Sequence, residues 1–214
     1  NAGETLRKGL EASASYRTRK WMVYATYSYV DATFETRNII QAENNPQVET
    51  ECQADFGIDA DDDDGEPAKC LEILPGNRMP GVPRHRFKAG FDMMLTPKWS
   101  LGADLVAISD QFFYGDEANL DRPLPGYTRV NLHTAYNITD NVQIYGLFEN
   151  LFDKRYSVYG TYFNTELAQE AGPGEHGSGG PDKSLKGLEY DEDNARTSTP
   201  AIPFAAYGGI RVRF

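Results

Sequence analysis

The chain ends in Phe204-Ala205-Ala206-Tyr207-Gly208-Gly209-Ile210-Arg211-Val212-Arg213-Phe214. Apolar residues and glycine fill the even positions, while the odd positions include Tyr207, Arg211 and Arg213. Successive side chains of a β-strand point to opposite sides, so this alternation predicts a strand with one apolar and one polar face.

The same alternation recurs six times earlier in the chain, so we predict seven strands and an all-β fold. The six earlier apolar faces run over 6–16, 21–29, 87–95, 99–107, 130–136 and 142–148. The polar faces carry the charged residues Glu11, Arg86, Lys88, Asp92, Asp104, Arg129, Glu149, Arg211 and Arg213. Alternation alone fits both a soluble β-sandwich and a membrane β-barrel, whose polar face lines a wet lumen.

The connections between the strands favour the barrel. Short turns at 17–20, 96–98 and 137–141 alternate with long connections at about 34–82, 108–126 and 153–202. Loops of that length without internal structure are unusual in a compact soluble domain. Short periplasmic turns and long outer loops are typical of up-and-down outer-membrane barrels.

Aromatic residues give a second indication. Tyr16, Trp21, Trp99 and Tyr136 all lie beside the short turns, and Phe214 ends the chain at the same level. Amphipathic rings gather where hydrocarbon meets headgroups. We therefore predict a girdle there, with outer-membrane lipid and lipopolysaccharide as partners of the barrel.

Composition excludes several classes of protein. No stretch approaches the roughly 18 apolar residues of a membrane helix. A net charge of −11 argues against nucleic acid as a partner, because nucleic-acid binding needs a basic footprint. Residues 34–82 hold twelve acidic and three basic side chains, so most of the charge lies in one connection.

Cys52 and Cys70 both lie in that acidic connection. Two cysteines that close a short loop indicate a disulfide and an oxidising compartment. Metal binding is the competing interpretation, but two cysteines without nearby histidine make a poor zinc site.

Seven strands leave two open sheet edges, which lipid does not tolerate because unpaired backbone groups are costly there. We therefore expect further strands, N-terminal to Asn1, to complete the barrel.

Several motifs resemble the C-terminal end of TonB-dependent receptors. The most specific is Glu149-Asn150-Leu151-Phe152-Asp153-Lys154-Arg155-Tyr156, followed by Tyr159-Gly160-Thr161-Tyr162-Phe163. Pro80-Gly81-Val82-Pro83-Arg84-His85-Arg86 and Leu124-Pro125-Gly126-Tyr127 also resemble the family. The terminal Phe214 matches the signal that the barrel-assembly machinery reads.

The resemblance implies a 22-stranded transmembrane barrel in the bacterial outer membrane, of which residues 1–214 are the C-terminal portion. It further implies an N-terminal plug domain, contact with the TonB complex through that plug, and a nutrient ligand. The sequence contains neither the plug nor the TonB-contacting segment.

Ligand recognition is expected in the long loops, because function concentrates on loops held by a rigid scaffold. The candidates at the outer rim are Arg84, His85, Phe112, Phe113, Tyr114, Tyr159, Tyr162 and Phe163. Packing of the loops or of the girdle is the competing role for most of them.

The lumen-facing charges listed above are expected to contact the plug, with a simply hydrated lumen as the alternative. His133 is interpreted as a polar lumen residue that could pair with the plug.

The tract Asp59–Glu66 does not match an EF-hand, so we expect a solvated loop that repels anionic lipopolysaccharide, with a looser cation site as the alternative. Gly172–Gly180 is read as a mobile loop tip, and no cofactor or metal is predicted.

The function that these patterns favour is active import of a scarce nutrient, such as a ferric siderophore, haem or a cobalamin-like ligand. A passive porin or anchoring barrel is the main alternative, and a soluble β-rich binding module is another. No nucleophile–base pair points to an enzyme.

Overall fold

The computed structural model describes residues 3–42, 45–49, 51–52, 68–162 and 196–214. Its main element is a seven-stranded antiparallel sheet in the order β1-β2-β5-β6-β7-β8-β11. These strands are β1 Thr5–Arg17, β2 Trp21–Phe34, β5 His85–Thr96, β6 Trp99–Ile108, β7 Tyr127–Asn137, β8 Val142–Glu149 and β11 Ala205–Val212. The all-β fold and the seven predicted strands are confirmed, and this sheet does not close into a barrel by itself.

Two hairpins lie inside the long connections. β3 Asn38–Gln41 pairs with β4 Cys70–Ile73, and β9 Ser157–Tyr162 pairs with β10 Arg196–Pro200. The outer connections therefore have secondary structure of their own. The sequence did not reveal it because strands of four to six residues are too short to show alternation.

The three short turns are stabilised in the same way, by a threonine side chain. Thr18, Thr96 and Thr139 each accept two backbone N–H bonds on the side-chain oxygen, from the residues two and three positions further along. Such bonds are the means by which threonine stabilises turns. Successive turns are also linked, because Asn137 N donates to Lys98 O at 2.8 Å.

The predicted girdle residues lie at this turn end of the sheet. The rings of Tyr16 and Trp21 are 5.2 Å apart, and Trp99 is the cross-strand partner of Tyr136. All four are exposed, and so is Phe214. Their contact with lipid headgroups stays a prediction.

Burial divides the molecule into an exposed sheet and packed outer connections. Large apolar residues of the sheet stay exposed, including Phe91 at 37%, Trp99 at 42% and Ile210 at 69%. The buried apolar side chains among the described residues lie instead in the outer connections or at the outer end of β2, and include Phe34, Leu71, Ile73, Phe113 and Leu124. The sheet thus has no protein core on its apolar face. Within the described ranges we find no helix that is long and apolar enough to cross a membrane.

Cys52 and Cys70 form the predicted disulfide, with an S–S distance of 2.05 Å. Together with Ala68 and Ile39 they form a small apolar cluster beside the β3–β4 hairpin. The tract Asp59–Glu66 and the stretch Gly172–Gly180 lie outside the described residues.

Candidate functional site

Cross-strand register brings the predicted lumen charges onto one face of the sheet. Glu11 pairs with Ser28, which pairs with Arg86, and Lys88 pairs with Val106, which pairs with Arg129. Directly paired residues share a face of an antiparallel sheet. Asp92, Asp104, Glu149 and Arg211 fall on the same face through the remaining pairs, while Arg213 follows β11 with its N–H bonded to Asn141 O at 2.9 Å. Whether a plug contacts this face stays a prediction.

A glycine opens a path for one contact across this face. His133 on β7 reaches over β6 to Asp92 on β5, and Nε2 lies 2.8 Å from Asp92 Oδ1. The strand between them carries Gly102, where an added Cβ would lie 2.2 Å from His133 Nε2. His133 is thus on the face that the sequence predicted, and its partner among the described residues is Asp92.

The motif Glu149–Tyr156, which resembles the receptor family, connects the end of β8 to the start of β11 through hydrogen bonds. Asn150 is 2% exposed and has a φ of +48°, a conformation that asparagine tolerates better than most residues. Its Nδ2 donates to Lys154 O and Ile202 O at 3.0 and 3.2 Å, and its Oδ1 accepts from Lys154 N at 3.1 Å. Asp153 adds a bond from Phe204 N to Oδ1 at 2.9 Å, so the motif fixes the chain where β11 begins.

A buried polar cluster organises the outer connections. Asp116, which is 1% exposed, accepts the N–H groups of Leu120 and Asp121 at 2.8 and 3.1 Å. Burial raises the pKa of the Asp116 carboxyl above its usual value. Tyr162 and Arg196 both bond to Asp121 Oδ2, at 3.0 and 3.1 Å.

Burial and the neighbouring carboxylates raise the pKa of the Tyr162 phenol well above its usual range. The hydroxyl donates to Asp121 Oδ2. Arg196 also lies over the Phe113 ring, 4.7 Å from its centroid. The cluster joins the 108–126 connection to the β9–β10 hairpin. Asp121 and Arg196 could not be identified from the sequence, because they bond to each other and to Tyr162 across a long stretch of chain. Asp116 bonds to nearby residues, but no motif marks its carboxylate as buried.

The structure separates the predicted rim residues into packed and accessible ones. Phe113 and Tyr162 are buried, and their stacked rings are 5.7 Å apart. Phe112 lies under the Arg78 guanidinium at 5.1 Å. Arg84 is paired with Asp31, with Nη2 to Oδ1 at 2.8 Å.

Tyr114 and Tyr159 are the accessible aromatic pair of the set. They are 44% and 43% exposed, and their stacked rings are 5.2 Å apart. His85 is exposed as well, and Tyr27 Oη lies 2.8 Å from its Nδ1. Phe163 lies outside the described residues.

Among the residues that the structure describes, no group of three or more His, Cys, Asp or Glu side chains could hold a metal ion.

The sheet is antiparallel, with an exposed apolar face and a charged opposite face. It has short turns at one end and structured long loops at the other. These features define an outer-membrane β-barrel protein. The model of the TonB dependent receptor-like β-barrel family matches residues 1–151. The chain belongs to this family of outer-membrane receptors and transporters, so the predicted family and localisation are confirmed, and it is not an enzyme.

Two curated relatives are similar in sequence. The probable TonB-dependent siderophore receptor PiuA of Acinetobacter baumannii is 30% identical over 171 residues, which cover 78% of this chain and 19% of that protein. The vitamin B12 transporter BtuB of Photobacterium profundum is 40% identical over 68 residues, 32% of this chain and 11% of that protein. The chain thus spans a small part of either relative.

The crystal structure of the siderophore receptor PiuA from Acinetobacter baumannii is similar in fold. It superposes with a TM-score of 0.64 over 98% of this chain and 22% of that protein, at 21% sequence identity.

Proposed function

We propose that residues 1–214 form the C-terminal portion of the barrel of a receptor that binds a scarce nutrient and imports it with energy from TonB. A ferric siderophore, haem or a cobalamin-like compound is the expected ligand class. The long outer connections at about 34–82, 108–126 and 153–202 would supply the ligand contacts. The lumen charges would face a plug domain outside this chain.

The observation that carries this proposal is the division of the sheet into two chemically different faces beneath a structured outer cluster. The apolar face has the exposure expected of a lipid-facing surface, while Asp92, Asp104, Lys88 and Arg129 share the opposite face. A large barrel can hold such charges because water or a plug satisfies them. The siderophore receptor among the relatives supports the ligand class.

Uptake by cells tests the proposal. A strain that lacks the gene would be complemented with the complete receptor and supplied in turn with labelled ferric siderophores, haem and cobalamin. We expect uptake of one of these classes, and loss of that uptake when TonB is inactivated. Uptake that survives loss of TonB would instead favour a passive porin, and no receptor-dependent uptake of any class would contradict the nutrient assignment.

The Tyr114–Tyr159 pair offers a test at the ligand itself. Exchange of both residues for alanine removes an exposed aromatic surface, and aromatic anchors commonly dominate binding sites. We expect Tyr114→Ala/Tyr159→Ala to weaken ligand binding about tenfold. Tyr136→Ala is the matched control, because that ring is 43% exposed at the opposite end of the sheet. Equal affinity of the double variant and wild type would remove the pair from the site.

A further inference from the structure

The accessible Tyr114–Tyr159 pair is formed by two segments that are remote along the chain. Tyr114 belongs to the 108–126 connection, whereas Tyr159 belongs to β9. The two backbones meet through a bond from Tyr114 N to Gly160 O at 2.9 Å and through a parallel bridge between Tyr114 and Thr161. The relative position of the two exposed rings is therefore set by how these segments are held together.

A buried aromatic pair lies beside the accessible one. Phe113 directly precedes Tyr114, and its ring stacks on that of Tyr162 at the end of β9. The Phe113 ring also passes close to the β9 backbone, because a Cβ added at Gly160 would lie 2.7 Å from it. A shift between the two segments would therefore separate buried rings as well as exposed ones.

Arg196 of β10 links the two segments. Its guanidinium Nε lies 3.1 Å from Asp121 Oδ2, and its Nη2 donates to Arg122 O at 2.8 Å. The same guanidinium lies 4.7 Å from the centroid of the Phe113 ring. Arg196 is also the cross-strand partner of Tyr162. One side chain thus joins the β9–β10 hairpin to the neighbouring connection at three points.

This set of contacts requires an arginine. A guanidinium donates several hydrogen bonds in its plane while its face lies on an aromatic ring, whereas a lysine ammonium is a compact point charge that lacks the planar fork. The Arg196 side chain is only 15% exposed, so it offers little surface to a ligand. Its effect on a ligand would therefore pass through the tyrosine pair.

We infer that Arg196 is a positioning residue for nutrient binding, because it holds β9 against the 108–126 connection and so keeps Tyr114 and Tyr159 stacked. The inference rests on the proposed role of the tyrosine pair in ligand binding. The link between the two segments, however, can be measured without any ligand.

Hydrogen exchange of the complete receptor in detergent micelles tests the link. Arg196→Lys keeps the charge but loses the forked bonds and the flat contact with Phe113. We expect the Tyr114 amide, which is bonded to Gly160 O, to exchange about tenfold faster, as loss of one charge-assisted bond predicts. The β6 amides should keep their protection, which shows that the barrel stays folded. Asp121→Asn should also speed exchange at Tyr114, since it weakens the same link from the other side.

Arg78→Lys is the matched control. Arg78 is equally buried, pairs with Asp110 at 3.0 Å and lies over the Phe112 ring. None of these contacts involves β9 or β10. The control variant should therefore show wild-type exchange at Tyr114.

Equilibrium binding to the same receptor tests the consequence for the ligand. Ferric enterobactin, haemin and cyanocobalamin are the probes, added one at a time. For the probe that binds, Arg196→Lys should weaken binding about three- to tenfold, because a residue that acts through the tyrosine pair cannot matter more than the pair itself. In the Tyr114→Ala/Tyr159→Ala background, Arg196→Lys should cause no further loss.

Three results would overturn the inference. They are wild-type exchange at Tyr114 in Arg196→Lys, wild-type affinity of that variant for the probe that binds, and an equal loss of affinity with and without the tyrosine pair. The last result would mean that Arg196 is merely structural. Failure of the wild-type receptor to bind any probe would count against the proposed function instead, and the exchange measurement would then decide the positioning role by itself.

Discussion

At the scale of single residues, one contact on the charged face of the sheet depends on a glycine, which has no side chain. Gly102 leaves room for His133 to reach Asp92, whereas a methyl group there would lie 2.7 Å from Asp92 Oδ1 as well. The sequence shows a glycine in an alternating strand, which indicates a close approach of some group. It cannot show which group, because the two partners come from the strands on either side.

Gly102→Ala should therefore lower the stability of the barrel. The His133–Asp92 pair is about half exposed, so we expect a loss of about 1 kcal/mol in the free energy of unfolding, measured by urea titration. Gly208→Ala is the control, since its Cβ would meet only the Tyr145 carbonyl oxygen at 3.7 Å. In a His133→Ala background the cost of Gly102→Ala should shrink, and equal costs in both backgrounds would contradict this account.

Asn150 combines a left-handed backbone with a buried amide. Asn150→Ala loses three side-chain bonds and places alanine at a φ of +48°, so unfolding should become easier by about 2–4 kcal/mol. Asn150→Gly keeps the backbone conformation and should recover only the smaller, conformational part of that loss. Urea titration separates the two, and a glycine variant as stable as wild type would show that the amide bonds contribute nothing.

At the scale of elements, the long strands were predictable and the short ones were not. β5 and β6 alternate over ten or more residues, so their faces and the turn between them follow from the sequence. The disulfide was also predictable, because both cysteines lie in one connection. The β9–β10 hairpin was not, since its strands are short and its register depends on tertiary contacts such as that between Arg196 and Asp121.

The threonine turns give one prediction at this scale. Thr96→Val removes both bonds to the Lys98 and Trp99 N–H groups without a large change in volume. We expect faster hydrogen exchange at those two amides and a loss of about 1 kcal/mol in stability. Thr96→Ser retains the oxygen and should behave like wild type, so equal exchange in both variants would contradict the role of the hydroxyl.

The Cys52–Cys70 disulfide gives a second prediction at the scale of elements. Cys52 and Cys70 are 18 residues apart, and a crosslink over a loop of this length stabilises by about 3 kcal/mol. Cys52→Ser/Cys70→Ser should therefore speed hydrogen exchange in β3 and β4 while β6 keeps its protection. Unchanged exchange at the Ile39 and Leu71 amides would show that the hairpin does not rely on the crosslink.

At the scale of the whole molecule, one face of the sheet is expected to meet the membrane and the other to face the lumen. Phe91 and Ile210 are on the apolar face, while Lys88 is on the charged face. The sequence predicted both faces through alternation, but not the loop packing above them, which depends on contacts such as that between Tyr162 and Asp121.

Spin labels on the complete receptor in lipid nanodiscs test which face of the sheet contacts lipid. Labels would be placed through Phe91→Cys, Ile210→Cys and Lys88→Cys, and their collisions with oxygen and with a water-soluble nickel complex compared. The labels at 91 and 210 should collide mainly with oxygen, which concentrates in hydrocarbon, and the label at 88 should be shielded from it. Preferential collision of the labels at 91 and 210 with nickel would contradict a lipid-facing apolar surface.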